Sequence, residues 1–469
     1  MDTARQDLKA TPLELARRRL LSGGVWALGG KILIAFIGIA SNVLLARLLT
    51  PQQLGAYFLG YSIVFFCTTL GTLGIGGAVV RLIAEGMGAD RVGRVRRVVG
   101  VVLVVGTLGA LGVGFTYLLL GNVVAERIFN APALAAVSGL VAGWIVVETL
   151  QGLWSEIFRG FHDIRLSTLL GGQTTGTVSG LITMTLIVSS FFFVWLINGQ
   201  ADLATVLLLA ICSGAVGNVL GGWLVYRKIA KLRMQPSDKS QKMGSEDVLK
   251  EVFSIAWPLL IASIAMFVIR NADIWVLGIF RGEADVAVYG AAVRLGSMVT
   301  MPLIVSYAVL PPLIAQMYSQ GHREDLERTI RGLAAVTGIP GALASVACIV
   351  FASPILGLVY GDYYRAGATA LALLSVGFLS GLWAGSGGFT LTMTGHQKTY
   401  MSITIASGLA MVIAMVAVAG PYGVTGIAVV RLVGAVLTNG LWVVVTKQKT
   451  GMWIHVGFSN ISNLLRIAR

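Results

Sequence analysis

Long apolar stretches alternate with short polar ones along almost the whole chain, and no regular polar face interrupts them. Twelve such stretches recur, at roughly 22–45, 55–80, 98–120, 132–156, 166–197, 202–226, 252–279, 287–317, 332–352, 367–393, 399–419 and 423–446. Each has the ~20 residues that cross about 30 Å of hydrocarbon. A large soluble helical core would show polar faces at helical spacing, which these runs lack. The pattern predicts an all-α polytopic membrane protein of about 12 transmembrane helices. The longest polar connection, 227–250, contains Pro236-Ser237-Asp238-Lys239-Ser240 and divides the helices six and six. The expected organisation is a tail (1–21), a first six-helix lobe (22–226), a linker (227–250), a second lobe (251–446) and a C-terminal tail (447–469). In that tail Ile454, Phe458, Ile461, Leu465 and Ala468 fall at spacings of four and three, the pattern of an interfacial amphipathic helix.

One polar hinge stands out. Ala46-Arg47-Leu48-Leu49-Thr50-Pro51 separates the first two runs, and Gly55-Ala56-Tyr57-Phe58 opens the second. Thr50-Pro51 stops a helix, because proline lacks an N–H and restricts the residue before it. A weaker copy, Leu277-Gly278 through Arg281-Gly282-Glu283 to Tyr289-Gly290, lies close to half a chain later. Phe158-Arg159-Gly160-Phe161-His162-Asp163 is echoed in the same way by Met393-Thr394-Gly395-His396-Gln397-Lys398. Two echoes at nearly one offset predict a tandem duplication. Halves with an even number of spans share one orientation and are related by an axis along the membrane normal.

Charge sharpens the topology. Only 12% of the 469 residues are charged against 56% hydrophobic, and the net charge is +14. With the N-terminus inside, 27 Lys and Arg fall on the inner side, while Arg47, Arg127, Arg281 and Arg365 fall on the outer side. That asymmetry predicts both termini in the cytoplasm and explains the net charge without nucleic acid. Cys67, Cys212 and Cys348 lie inside apolar runs without metal spacing. His162, His322, His396 and His455 are equally scattered, and no phosphate-binding loop is present. No enzymatic constellation, metal or cofactor is expected.

The chemistry lies in the charges inside the spans, which are costly in hydrocarbon unless they face a cavity or each other. These are Lys31, Glu148, Arg270, Asp273, Arg294 and Arg431. Asn42 lies eleven residues after Lys31, about three turns, and so shares its face. Arg270 and Asp273, three apart, can pair with each other. Snorkelling to an interface is the plain alternative for Lys31, Arg294 and Arg431. A cavity lined by Lys31, Arg270, Arg294 and Arg431 would attract an anion, and arginine suits a phosphate. Glu148 and Asp273 are candidates for charge balance or for coupling to H+ or Na+.

The hinge residues, with Leu70-Gly71-Thr72-Leu73-Gly74-Ile75-Gly76-Gly77-Ala78, Tyr289-Gly290-Ala291-Ala292-Val293-Arg294, Leu310-Pro311-Pro312-Leu313 and Gly420-Pro421-Tyr422-Gly423, resemble the polysaccharide repeat-unit flippases of the Wzx type. The resemblance covers nearly the whole chain. It implies the multidrug/oligosaccharidyl-lipid/polysaccharide (MOP) exporter superfamily, with two MATE-like six-helix lobes around a central cavity. It implies a bacterial inner-membrane protein that moves an undecaprenyl-diphosphate-linked oligosaccharide outward by alternating access, in contact with membrane lipid and polysaccharide polymerase machinery. The rivals are a cation-coupled multidrug antiporter, against which the first span's lack of a carboxylate counts, and a membrane scaffold or glycosyl-lipid enzyme, for which the outer loops are too short and too poor in acids.

Overall fold

The computed structural model describes residues 29–30, 33–89, 91–171, 180–232 and 245–456, and among them there is helix but no strand. The helices are α1 (Leu33–Leu48), α2 (Pro51–Gly71), α3 (Ile75–Gly88), α4 (Val92–Val123), α5 (Ser138–Gly160), α6 (Ile164–Leu170), α7 (Leu181–Asn198) and α8 (Leu203–Lys231). They continue with α9 (Ser245–Arg281), α10 (Glu283–Ser297), α11 (Leu303–Ser319), α12 (Arg323–Val350), α13 (Ala352–Tyr360), α14 (Ala368–Ala384), α15 (Gly387–Met393) and α16 (Gln397–Thr450). Eight helical segments among the described residues are long and apolar enough to span a membrane. The protein is a multi-pass α-helical membrane protein.

The hinge starts a helix as well as stopping one. Thr50 Oγ1 accepts from the Gln53 N–H (3.4 Å) and Gln53 Oε1 accepts from the Thr50 N–H (3.2 Å). This is a capping box, with Pro51 at the first helical position, where its missing N–H costs nothing.

Several expected spans are broken. The run 55–80 is α2 and α3, separated where Leu73 (φ 49°) and Gly74 (φ 73°) turn left-handed. A Cβ on Gly74 would lie 2.2 Å from the Ala256 carbonyl oxygen, so only glycine fits. The run 287–317 is α10 and α11, joined by a 3-10 turn at Met298–Thr300 ahead of Pro302. The run 367–393 breaks at Gly385 (φ 73°). The last two spans are the two arms of α16, which kink at Gly423 just after Pro421. Arg281 Nε donates to the Ala419 carbonyl (3.2 Å) beside that kink.

The chain forms two compact units. The first comprises residues 1–44, 63–121 and 138–264, the second 45–62, 122–137 and 265–469. In the first, Ile75, Val79, Leu82, Val98, Leu153 and Val252 lie in a fully buried apolar core. Charged side chains tie one end of it. Arg94 pairs with Glu251 (2.6 Å), Lys228 pairs with Asp163 (3.2 Å), and Arg96 donates to the Ile229 and Leu232 carbonyls at the end of α8. They lie in the last turn of the helix, where carbonyls run out of i+4 partners, and the Ile229 carbonyl also accepts from the Leu232 N–H (3.1 Å). Arginines that the sequence assigned to topology thus also cap a helix.

In the second unit, the hinge helix and its echo pack on each other. A Cβ on Gly55 would lie 1.8 Å from the Glu283 carbonyl oxygen, one on Gly290 2.3 Å from Phe58, and one on Gly278 2.7 Å from Leu59. Glycines therefore set the approach of α2 to α9 and α10, as small residues do between membrane helices. Ser62 Oγ accepts from Trp275 Nε1 (2.9 Å), and Glu283 Oε1 accepts from the Leu134 N–H (3.1 Å). Burial pushes the Glu283 carboxyl above its usual range. The Arg47 guanidinium donates to the Leu358 carbonyl (3.2 Å).

Of the five apolar positions of the expected tail helix, only Ile454 lies among the described residues, and it is not helical. It is fully buried with Leu310, Ile330, Ala384 and Val443, and Val456 donates its N–H to the Trp383 carbonyl (2.9 Å). His455 stacks on Trp453 (centroids 5.1 Å apart, 11° between planes) and contacts Trp383. Burial, then the nearby Arg331 charge, hold its imidazole below the usual histidine range.

Gly55→Ala should destabilise the protein by about 1–3 kcal/mol, because backbone must move to admit the methyl. Gly88→Ala, where a Cβ meets nothing within 4 Å, should change little. Thermal unfolding in detergent distinguishes the two. The depressed His455 value means that the folded state binds this proton less readily than the unfolded one. Its stabilising contribution is present above about pH 6.5 and is lost as pH falls below that. His455→Gln should flatten that part of the Tm–pH curve between pH 7.5 and 5.

Candidate functional site

The charged residues of α9 are placed by one turn of helix. Asp273 is buried (2% exposed), while Arg270, one turn earlier, is exposed. The expected Arg270–Asp273 pair does not form. Asp273 turns instead to the second arm of α16, where its Oδ2 meets Arg431 Nε at 3.4 Å. The same oxygen accepts from the Tyr289 hydroxyl on α10 (2.9 Å), and Oδ1 accepts from the Ile274 N–H (2.9 Å). A buried carboxylate that is thus paired and hydrogen-bonded escapes most of the cost of leaving water.

Arg431 is held through Nε alone. No hydrogen bond among the described residues occupies its terminal nitrogens, and it lines a cavity of about 340 Å³ together with Arg270. Arg270 has no ion-pair partner among the described residues. Polar groups complete the lining. Thr438 Oγ1 and Trp442 Nε1 are buried without a partner among the described residues, and Asn439 Nδ2 donates to Ser380 Oγ (2.9 Å). Two guanidinium groups and neutral polar groups thus line one cavity, beside apolar side chains such as Leu374 and Phe378.

The other candidate residues lie elsewhere. Arg294 is in the same unit but does not line this cavity. Its guanidinium lies 4.1 Å over the Phe58 ring and 5.2 Å over that of Tyr61, and its buried Nε has no hydrogen-bond partner. Stacking on aromatic faces satisfies the charge while leaving hydrogen-bonding capacity unused. Glu148 belongs to the first unit, is 2% exposed, and accepts from Trp144 Nε1 one turn earlier (3.1 Å). Asn42 turns back on its own helix, with Nδ2 donating to the Gly38 carbonyl (2.6 Å). Lys31 lies outside the described residues. No group of three or more His, Cys, Asp or Glu among the described residues could hold a metal.

Sequence reasoning missed Tyr289, Thr438, Asn439 and Trp442. Tyr289 was visible only as part of the hinge echo. The other three follow Arg431 by seven, eight and eleven residues, spacings that put them on its helical face.

The profile of a family described as "Polysaccharide biosynthesis protein" matches residues 20–318. The chain belongs to this family. It is a Wzx-type member of the MOP superfamily, and the MatE profile matches residues 258–418 as well. Solved structures of the superfamily share the fold. An inward-facing multidrug-resistance MATE transporter matches with a TM-score of 0.71 at 15% identity, over 95% of this chain and 100% of its own. An outward-facing one gives 0.61 at 15% identity, over 98% of both chains. A MOP transporter from Pyrococcus furiosus, described as having a binding pocket of reverse polarity that suggests a different function, gives 0.58 at 16% identity, over 92% and 95%. A comparison with curated proteins found no match. The family and the fold make this protein a transporter of the MOP superfamily.

Removing one member of the Asp273–Arg431–Tyr289 group tests its cohesion. Asp273→Ala should destabilise the second unit by about 3 kcal/mol, because it leaves a largely enclosed arginine unpaired. Tyr289→Phe should cost about 1 kcal/mol, the value of one hydrogen bond. Chemical unfolding in micelles, followed by tryptophan fluorescence, reads both.

Proposed function

We propose that the protein is a flippase that carries an undecaprenyl-diphosphate-linked oligosaccharide from the inner to the outer leaflet of a bacterial cytoplasmic membrane. The observation that carries this reading is the convergence of Arg270 and Arg431 on one cavity in a member of the polysaccharide biosynthesis family. A diphosphate presents several anionic oxygens on tetrahedral phosphorus, pairs of which the planar guanidinium fork can bind bidentately, and a cationic drug presents none. The neutral donors around the arginines suit the hydroxyl-rich sugar beyond the diphosphate.

The proposed course is alternating access. The head group enters from the cytoplasmic side and meets Arg270 and Arg431, with Lys31 and Arg294 as further cationic contacts along the way. The six-helix lobes, 22–226 and 251–446, then exchange the side to which the head is open. Both termini lie on the cytoplasmic side in this reading, which the lysine and arginine distribution supports. Asp273, committed to Arg431 and Tyr289, balances charge. Glu148, buried beside Trp144, is the candidate that takes up H+ or Na+ to drive the return. Polymerase machinery on the outer side would receive the flipped unit. The MatE match over residues 258–418 supports a second reading, cation-coupled export of a small molecule.

A strain lacking the gene should accumulate the lipid-linked sugar on the inner leaflet, identified by mass spectrometry. Arg270→Gln, stably expressed, should lower flipping about tenfold or more, the loss expected for one charge-assisted hydrogen bond. Wild-type flipping by that variant would remove the basic-cavity mechanism. Drug-dependent proton or sodium exchange in vesicles, with no sugar-lipid accumulation in the strain, would favour the antiporter.

A further inference from the structure

Part of the wall of the Arg270–Arg431 cavity has a second space on its other side. A second space of about 540 Å³ lies between the two arms of α16. Ser407, Met411, Gly434 and Thr438 line both spaces, so the chamber and the groove share one wall at these residues. Beyond them the character changes. On one arm Ala406, Ala410 and Ala414 follow one another at four-residue spacing, and on the other Val429, Val433 and Leu437 do the same. Residues four apart share a helix face, so an alanine stripe opposes a branched apolar stripe. The alanines leave space that larger side chains would fill. The stripe runs about two turns, ~12 Å along the helix axis. At the shared wall the arms pack closely: a Cβ on Gly434 would lie 2.5 Å from Met411 Cγ and Sδ. Methionine is flexible and polarisable, suited to a wall that must give way.

A chamber lined by two guanidinium groups that shares a thin wall with a mostly apolar groove fits one kind of molecule, a lipid with an anionic head and a long chain. We propose that the groove between the arms of α16 holds the polyisoprenoid chain of the substrate lipid while its phosphate head lies against Arg270 and Arg431. The inference rests on the flippase reading and adds to it the route by which the chain leaves the protein. A soluble anion would have no use for the groove. A diacyl lipid brings two chains to a groove formed by a single pair of facing stripes. The slot beside Met411 and Gly434 is where head and chain meet, and Thr438, with its unpartnered hydroxyl, stands at that point.

The full-length protein is reconstituted in vesicles of phosphatidylethanolamine and phosphatidylglycerol containing undecaprenyl phosphate. A photoreactive benzoylphenylalanine replaces Leu437 in the groove or, as the control, Ile413, which is exposed (70%) on the first arm and does not line the groove. Adducts are identified by mass spectrometry. Leu437 should capture undecaprenyl phosphate about tenfold more than Ile413, and Arg270→Gln with Arg431→Gln should remove most of that excess by releasing the head. Gly434→Leu, which fills the slot, should lower capture as well. If that variant fails to fold, the arginine pair alone decides. Equal capture at both positions, adducts of phospholipid only, or capture indifferent to the arginine substitutions would each overturn the assignment. Flipping of the lipid-linked sugar, measured in parallel, separates the two claims. Flipping without groove capture removes the groove assignment and leaves the flippase reading. Groove capture without flipping removes the flippase reading and leaves the groove as an isoprenoid site.

Discussion

A charge inside a bilayer must find its partners within the protein, because no water is there to receive it. Asp273 meets this demand with three hydrogen-bonding or ionic contacts drawn from α9, α10 and the second arm of α16. The three elements are thereby tied at one point, and Arg431 is aimed by the tie. Its Nε faces the carboxylate, and the residue lines the same cavity as Arg270 of α9. The ion pair thus uses one nitrogen of the guanidinium and leaves the other two without a hydrogen bond among the described residues. A lysine, with one nitrogen, could not divide the work in this way.

The second constraint is steric. Apolar helices in lipid gain little from the hydrophobic effect, so close packing must hold them together. The hinge helix α2 and its echo at the α9–α10 junction pack through Gly55, Gly278 and Gly290, each of which admits a neighbour where a methyl would collide. The feature that first marked a duplication along the chain is therefore also a packing surface. The segment 45–62 that carries the hinge belongs to the same compact unit as its echo. Arg294 benefits from that proximity, because the Phe58 and Tyr61 rings that receive its charge come from the hinge helix.

The cationic excess of the spans proves to be structured. Two of the four basic candidates converge on one chamber, a third is stacked on aromatic rings, and the acidic ones are committed to Arg431 and Tyr289 or to Trp144. Here Arg270 stays without an acidic partner among the described residues, at the rim of a chamber that has donors to spare.

Much of the fold was legible in the apolar runs, because a helix that crosses hydrocarbon must be apolar over about 20 residues, and that is a property of the local chain. The helix breaks at Gly74, Gly385 and Gly423 were signalled by residue type but not located, since a glycine takes up a left-handed turn only where neighbours require it. The identity of the charged residues was also readable from the chain alone, and so was their family. What only the tertiary structure decided was which charge meets which. Arg270 and Asp273 are three residues apart and look like a pair, yet the carboxylate is satisfied by Arg431, 158 positions away, and by Tyr289. Sequence spacing sets which groups share a helix face. The partner across the interface is chosen by packing, which brings a distant helix closer to Asp273 than its own neighbour on the next turn.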